Sequence, residues 1–300
     1  MQTNRNNQPK ELGKISWYRS HQAALDAAQR EGKPVFLLFQ EVPGCATCVG
    51  FGEELLSYPL LAEAIENEFI PLAIYNNAKG EEERILSLYH EAPWNNPVVH
   101  FVDGWGADTV PRLPNPWEPF LLLDRMTQAL KVSGRKLPEY VALLAAEFKI
   151  KYGKSHTAYY ETPCFWSGET SMIQHPAVLA TEAGWIAGKE VVKVTFDPLA
   201  VSLQELSHFA GREHFKRVEK PGAYRKDVNP QYYLKGSVFR LLPLGISQRS
   251  RLNYAIPYAQ NAESYLSPLQ YALLQQHRKS GGDGPELYDK AIEESWPDHR

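Results

Sequence analysis

Along the first half of the chain, apolar residues alternate between helical spacing and short unbroken runs. Ser16 can cap a helix whose apolar face is Trp17, Ala23, Ala24, Leu25 and Ala28, and Gly32 and Pro34 end it. Val35-Phe36-Leu37-Leu38-Phe39 is then an unbroken apolar run, the pattern of a strand buried on both faces. Residues 59–69 have helical spacing and lead into a strand at 70–75. A polar loop covers residues 76–83, a short helix 85–90, and a strand 98–102 enters through Pro97. Pro111, Pro114, Pro116 and Pro119 punctuate the next stretch, 120–123 predicts another strand, and 137–148 an amphipathic helix. Alternating strand and helix predicts an α/β layered fold with a mainly parallel sheet.

The basic, polar stretch Lys149 to His156 suggests a linker, after which the pattern restarts. Strands are expected at 191–196, ending on Asp197-Pro198, and at 237–242, with a helix at 203–209. From Ser247 to His277 the spacing is helical, with Pro268 a break or a start. The expected organisation is a flexible segment 1–14, a first domain 15–150, a linker 151–158, a second domain 159–250 and a helical extension 251–300. At 300 residues, two domains match the usual domain size.

Charge and composition remove some classes of function. Lys and Arg number 32 against 35 Asp and Glu, so no nucleic-acid or anionic-membrane partner is expected. No apolar run is long enough to span a bilayer, and the polar start lacks the apolar core of a secretory signal, so a cytoplasmic location is expected. Gly104-Trp105-Gly106 lacks the third glycine of a dinucleotide loop, and His208 and His214 lack metal-ligand spacing. Neither a cofactor nor a metal is expected. The basic residues from Lys216 to Lys226 are interspersed with acids, as on a solvated face.

Only three cysteines occur, too few for a disulfide framework. Cys45 and Cys48 follow the buried strand and precede a helical pattern. There the first thiol meets the free N–H groups of a helix start, which favour the thiolate. The second, one turn on, can attack a mixed disulfide formed by the first. A zinc half-site or two inert buried cysteines are the alternatives; no second cysteine pair or close His pair completes a zinc site. Residues 17–75, with Lys33-Pro34-Val35-Phe36-Leu37 and Cys45-Ala46-Thr47-Cys48, resemble the bacterial thioredoxin-like branch of the thioredoxin superfamily. Val42-Pro43-Gly44-Cys45-Ala46-Thr47 resembles thioredoxin-like selenoproteins that carry selenocysteine where Cys45 stands, which implies that Cys45 is the attacking atom. The resemblance implies a cis-proline facing the pair, for which Pro97 is the match; a plain strand-entry proline is the other reading. Gly44 stands where the family usually has Trp.

Cys164-Phe165-Trp166 follows Pro163 and can open a second helix. Two aromatic rings beside a thiolate can cage a methyl or thioether group, although such a tripeptide also suits a core. Glu190 precedes Val191-Val192-Lys193-Val194-Thr195-Phe196-Asp197-Pro198, and Asp227 precedes Gln231-Tyr232. Together these resemble the A-type peptide methionine sulfoxide reductases over residues 159–240, which implies an α/β sandwich after the thioredoxin-like fold. The resemblance implies Cys164 as nucleophile, Phe165 and Trp166 as methyl pocket, Glu190 as proton donor to the sulfoxide oxygen, and Asp227 and Tyr232 as positioning residues. Read singly, Glu190 is a solvated residue at a strand start, Asp227 and Tyr232 turn and core residues, and Trp185 core. The sequence departs from that family at Trp185, where a Tyr is usual, at Pro163, where Gly is usual, and in a shorter segment before Glu190.

No cysteine follows Cys164, so Cys45 and Cys48 are the internal candidates to reduce it once oxidised. The expected activity is thiol-dependent reduction of methionine sulfoxide, with a thioredoxin-type system as external reductant. A disulfide or peroxide reductase acting through Cys45, and a non-catalytic module that binds methionine side chains, are the alternatives.

Overall fold

The computed structural model describes residues 2–297 and divides into two compact units, 1–141 and 142–300. In the first unit the chain runs α1 (His21–Glu31), β1 (Val35–Gln40), α2 (Ala46–Gly50), α3 (Pro59–Glu68), β2 (Ile70–Tyr75), α4 (Glu81–Leu88), β3 (Val98–Val102) and α5 (Pro119–Val132). A short π-helical segment, Phe51–Leu55, follows α2. Ser20, not Ser16, caps α1, its hydroxyl accepting from the Ala23 amide, and Gly32 ends the helix in the left-handed region at φ 62°.

The sheet order is β2-β1-β3, with β1 parallel to β2 and antiparallel to β3. The mainly parallel sheet of the sequence reading is therefore a mixed one. All six residues of β1 are buried, as its unbroken apolar run requires. Leu37, Phe39, Leu72 and Ile74 meet Ala24, Leu25 and Ala28 of α1 on one side of the sheet. The strand expected at 120–123 is instead the start of α5: Pro119 occupies a first-turn position, and Leu122, Leu123, Met126, Ala129 and Leu130 continue at helical spacing.

Helix α6 (Glu139–Lys151) carries the division, and β4 (His156–Glu161) begins inside the stretch expected as linker. The second unit continues with α7 (Phe165–Met172), β5 (Val178–Ile186), β6 (Lys189–Phe196), α8 (Leu203–Arg212), β7 (Lys216–Arg217), β8 (Arg225–Lys226) and α9 (Tyr232–Lys235), then α10 (Ile246–Ala255) and α11 (Pro268–Lys279). Its sheet, β7-β4-β6-β5-β8, is antiparallel at every pairing. The unit is a separate α+β domain.

Val192, Val194 and Phe196 of β6 face a core shared with Phe165, Met172 and Ile173, while Lys193 and Thr195 alternate outward. Residues 237–242, expected as a strand, form a 3-10 turn at Val238–Leu241, capped by the Ser237 hydroxyl. Helix α10 runs through residue 250, where the helical extension was expected to begin. Leu252 and Ala255 pack in one cluster with Leu234, Leu242, Leu244 and Leu274. No helix of the described residues is long and apolar enough to cross a membrane.

Candidate functional site

The first thiol site lies where β1 gives way to α2. Gln40, fully buried, donates through Nε2 to the carbonyls of Glu11 (2.8 Å) and Cys48 (3.2 Å), tying the strand end to the helix start. The intervening turn contains a cis Val42–Pro43 bond, and the Gly44 amide donates to Glu11 Oε1 at 2.7 Å. A Cβ on Gly44 would lie 2.4 Å from the Glu41 carbonyl oxygen and 2.6 Å from Cys48 Cβ. That close approach explains why glycine stands at this position and why no Trp could.

Cys45 caps α2 and is exposed, whereas Cys48 is fully buried one turn on. Their sulfurs are 3.7 Å apart and the thiols are free. The amide of Cys48, more than its side chain or the Thr47 groups, lowers the Cys45 thiol below its ordinary value. Burial, followed by the neighbouring Cys45, pushes Cys48 up to about 12. The Cys48 thiol donates to Asn96 Oδ1 at 2.8 Å. The Cys48 proton is thus held by Asn96, and the Cys48 sulfur accepts from the Cys45 thiol at 3.7 Å.

The Asn96–Pro97 bond is cis, and buried Pro97 leads directly into β3. A polar cluster holds the loop before it. Asn95 Nδ2 donates to Glu91 Oε2 (2.8 Å), and Asn76 Nδ2 to the Asn95 carbonyl (3.4 Å). Buried His100 lies 3.0 Å from Glu91 Oε1 and 2.8 Å from Asp108 Oδ1. Spacing singled out Cys45 and Cys48, and the family resemblance Pro97; neither pointed to Asn96 or to Glu41. The Glu41 carboxylate and both sulfurs all lie within 4.8 Å of one another. The signal for Glu41 was its place four residues before Cys45, at the end of a strand.

The second thiol site is in the other unit. Cys164 occupies the N-cap position of α7 and is half-buried, and the Phe165 amide donates to Glu190 Oε2 at 2.9 Å. A carboxylate oxygen is thereby fixed at the helix start that carries the thiol. A two-residue turn, Ala187-Gly188, with φ of 50° and 77°, joins β5 to β6 and pairs Trp185 with Glu190 across the hairpin. The short segment before Glu190 is this turn.

Phe165 meets Trp166 at 5.4 Å and Trp185 at 5.2 Å between ring centroids, and Tyr232 stacks on Trp166 at 4.3 Å. Trp185 Nε1 donates to Asp227 Oδ1 (3.0 Å), and Asp227 Oδ2 accepts from the Asn229 amide (2.8 Å). Trp166 Nε1 donates to the Asn229 carbonyl at 3.2 Å. Cys164, Phe165, Trp166, Glu190, Asp227 and Tyr232 are therefore gathered into one connected group, although 68 residues separate the first from the last. Trp185, read as core from sequence, is half-buried and joins Phe165 to Asp227. Glu169, which sequence reasoning passed over, is fully buried and accepts from the Ala183 (2.9 Å) and Gln231 (3.1 and 3.0 Å) amides. Desolvation raises its carboxyl well above the usual range.

Residues 16–104 match the family described as thioredoxin-like. They form a thioredoxin-like domain. A solved structure of the DsbH oxidoreductase is similar at 18% identity, covering 42% of this chain and 90% of its own length, with a TM-score of 0.34. No curated protein matches the chain. The thioredoxin-like fold with its Cys45–Cys48 pair is consistent with redox chemistry.

Proposed function

We propose that the protein is a thiol-dependent oxidoreductase that reduces methionine sulfoxide at Cys164 and uses Cys45 and Cys48 as its own reductant. The observation that carries this reading is the grouping of a thiol on the N-cap residue of α7, a carboxylate 2.9 Å from the next amide, and an aromatic wall of Phe165, Trp166, Trp185 and Tyr232. A sulfoxide presents a methyl group, an electrophilic sulfur and a basic oxygen, and those three groups suit the three.

The Cys164 thiolate attacks the sulfoxide sulfur while the oxygen takes a proton. With Oε2 engaged at the Phe165 amide, Glu190 Oε1 is the atom to carry that proton. Oxygen passes to Cys164 as the S–O bond to the substrate breaks, giving thioether and a Cys164 sulfenic acid. The Cys45 thiolate then attacks Cys164 sulfur, and hydroxide leaves as water after taking a proton. Attack by Cys48 on Cys45 sulfur releases Cys164 and leaves a Cys45–Cys48 disulfide, which an external dithiol reduces.

The test is single-turnover reduction of a methionine-S-sulfoxide peptide by the pre-reduced protein, beside Cys164→Ser and Cys45→Ser. Product from wild type and Cys45→Ser, and none from Cys164→Ser, is the expected result. No product from wild type overturns the sulfoxide reading. A second reading, reduction of a disulfide or peroxide by Cys45 alone, is favoured by the exposure and lowered pKa of that thiol. It predicts turnover of those substrates that survives Cys164→Ser.

A further inference from the structure

We propose that Glu41, Cys45 and Cys48 form a binding site for a thiophilic divalent cation of the zinc class, which occupies the reduced pair and withholds it from redox chemistry. This inference needs only the local structure of the first unit and stands apart from the sulfoxide reading.

The sulfur spacing carries it first. Two thiolates on one tetrahedral zinc, each bonded at about 2.3 Å, lie about 3.8 Å from each other. Cys45 and Cys48 already stand 3.7 Å apart as free thiols. A carboxylate oxygen and a thiolate on the same ion lie about 3.5 Å apart. The Glu41 carboxylate lies within 4.8 Å of both sulfurs, and binding requires it to close to that distance.

The surrounding main chain favours the arrangement. Gly44 lets the Glu41 end of the turn close onto Cys48, where any Cβ would collide. The Gly44–Glu11 and Gln40–Cys48 hydrogen bonds fix both ends of that turn. Little ordering is then required when an ion arrives.

The donor set selects the ion. Two thiolates exclude calcium and magnesium, which take oxygen ligands, and favour zinc. Three protein ligands leave a fourth position for water or a small anion, the pattern of an open rather than a closed structural site. Binding moves no electrons. Each thiol that held a proton releases it to solvent, the Cys48 proton leaving Asn96 Oδ1, and two Zn–S bonds and one Zn–O bond form. Oxidation to the Cys45–Cys48 disulfide removes both sulfur ligands, so cation and oxidant compete for the same atoms.

The experiment titrates the fully reduced full-length chain with zinc against a chromophoric chelator and records cobalt spectra in parallel. One equivalent should bind, with thiolate-to-cobalt charge transfer and tetrahedral d–d bands. Cys164→Ser should bind as wild type, Cys45→Ser and Cys48→Ser should lose the charge-transfer band, and the oxidised chain should not bind. Glu41→Ala should weaken zinc affinity by about tenfold or more. A wild-type chain that binds no ion overturns the proposal, and so does Glu41→Ala with unchanged affinity. Zinc should also protect Cys45 and Cys48 of the wild-type chain from alkylation. That readout requires no variant, and equal labelling with and without zinc also refutes the site.

Discussion

The two thiols of the first site should differ sharply in reactivity, and the difference can be worked from their surroundings. Cys48 lies at about 12, so at pH 7.5 only about 3 × 10⁻⁵ of it is thiolate. Cys45 lies below its ordinary 9.0, so at least about 3% of it is thiolate at the same pH. The ratio is about a thousand in favour of Cys45. A thiolate of higher pKa is the better nucleophile, and with a Brønsted coefficient near 0.45 three pH units return about twentyfold to Cys48. About fiftyfold remains before access is counted. Cys48 is fully buried, which widens the gap further. The assay is iodoacetamide labelling of the reduced chain from pH 6 to 9, with each cysteine followed by peptide mass mapping. Cys45 should label at least about fifty times faster at pH 7.5, with an inflection below that of an ordinary thiol. Comparable rates at the two sites, or faster labelling of Cys48, would falsify the assignment of Cys45 as attacking and Cys48 as resolving thiol.

Three further outcomes test the second unit. Glu190→Gln keeps an acceptor for the Phe165 amide but has no acidic proton, so single-turnover sulfoxide reduction should fall by about 10²–10⁴-fold with stability nearly unchanged; a rate within threefold of wild type removes the proposed role. A Cβ on Gly168 would lie 2.6 Å from Val192 Cγ2 and 2.9 Å from Thr162 Cγ2. Gly168→Ala should therefore push α7 about 1 Å from the sheet and cost about 1–3 kcal/mol, partly offset by helix propensity, while lowering turnover by about 100-fold. A thermal midpoint and a rate equal to wild type contradict the close packing. Burial lifts Glu147 from 4.5 to about 7, although the Ile246, Ser247 and Gln248 amides all donate to it. A carboxyl raised on folding binds its proton more tightly in the native state. Its stabilising effect is therefore full below about pH 4.5 and lost as pH rises through 7, by about 3 kcal/mol in all. Urea denaturation should show a shallower loss between pH 5 and 8 for Glu147→Gln than for wild type, and equal slopes refute the linkage.

The elements visible in the sequence were those whose apolar pattern admits one structure. The run Val35–Phe39 and the strand Ile70–Tyr75 are bounded by Gly, Pro and polar residues and too short for buried helices. The direction of β3 was not visible, because a five-residue apolar strand reads alike parallel or antiparallel. Phe120–Leu123 fits strand and helix equally until Met126, Ala129 and Leu130 are counted with it, and Pro119 then marks a helix start. Of the site residues, the cysteines show through spacing within one helical turn. Asn96 and Glu41 do not, because a cis bond and a glycine turn, not a periodic pattern, bring them to Cys48. The pairing of Trp185 with Glu190 likewise depends on a two-residue turn whose residues both take positive φ.

Cys45 and Cys164 share one local position, the N-cap residue of a helix, and differ in what faces the sulfur. Around Cys45 stand a second thiol at 3.7 Å and, beyond it, an amide oxygen that holds the second thiol's proton. Those groups suit thiol–disulfide exchange, in which sulfur displaces sulfur and no oxygen has to be protonated. The start of α7 instead has a carboxylate at the Phe165 amide and an aromatic wall, with no second cysteine in its unit. A lone thiol so placed cannot close a disulfide within its own unit. The carboxylate is the group that an oxygen leaving sulfur would need, and exchange between two thiols would give it no task. This contrast is why the proposal assigns oxygen transfer to Cys164 and electron supply to Cys45 and Cys48, rather than two copies of one reaction. It also makes the assignment separable by experiment: Cys48→Ser should leave the first turnover of sulfoxide intact and arrest the protein as a Cys45–Cys164 mixed disulfide, detectable by mass on non-reducing digestion. Rapid multiple turnover by a chain carrying both Cys45→Ser and Cys48→Ser, with only an external dithiol present, would mean that Cys164 is reduced from outside, and the internal relay would fall while the sulfoxide site stood.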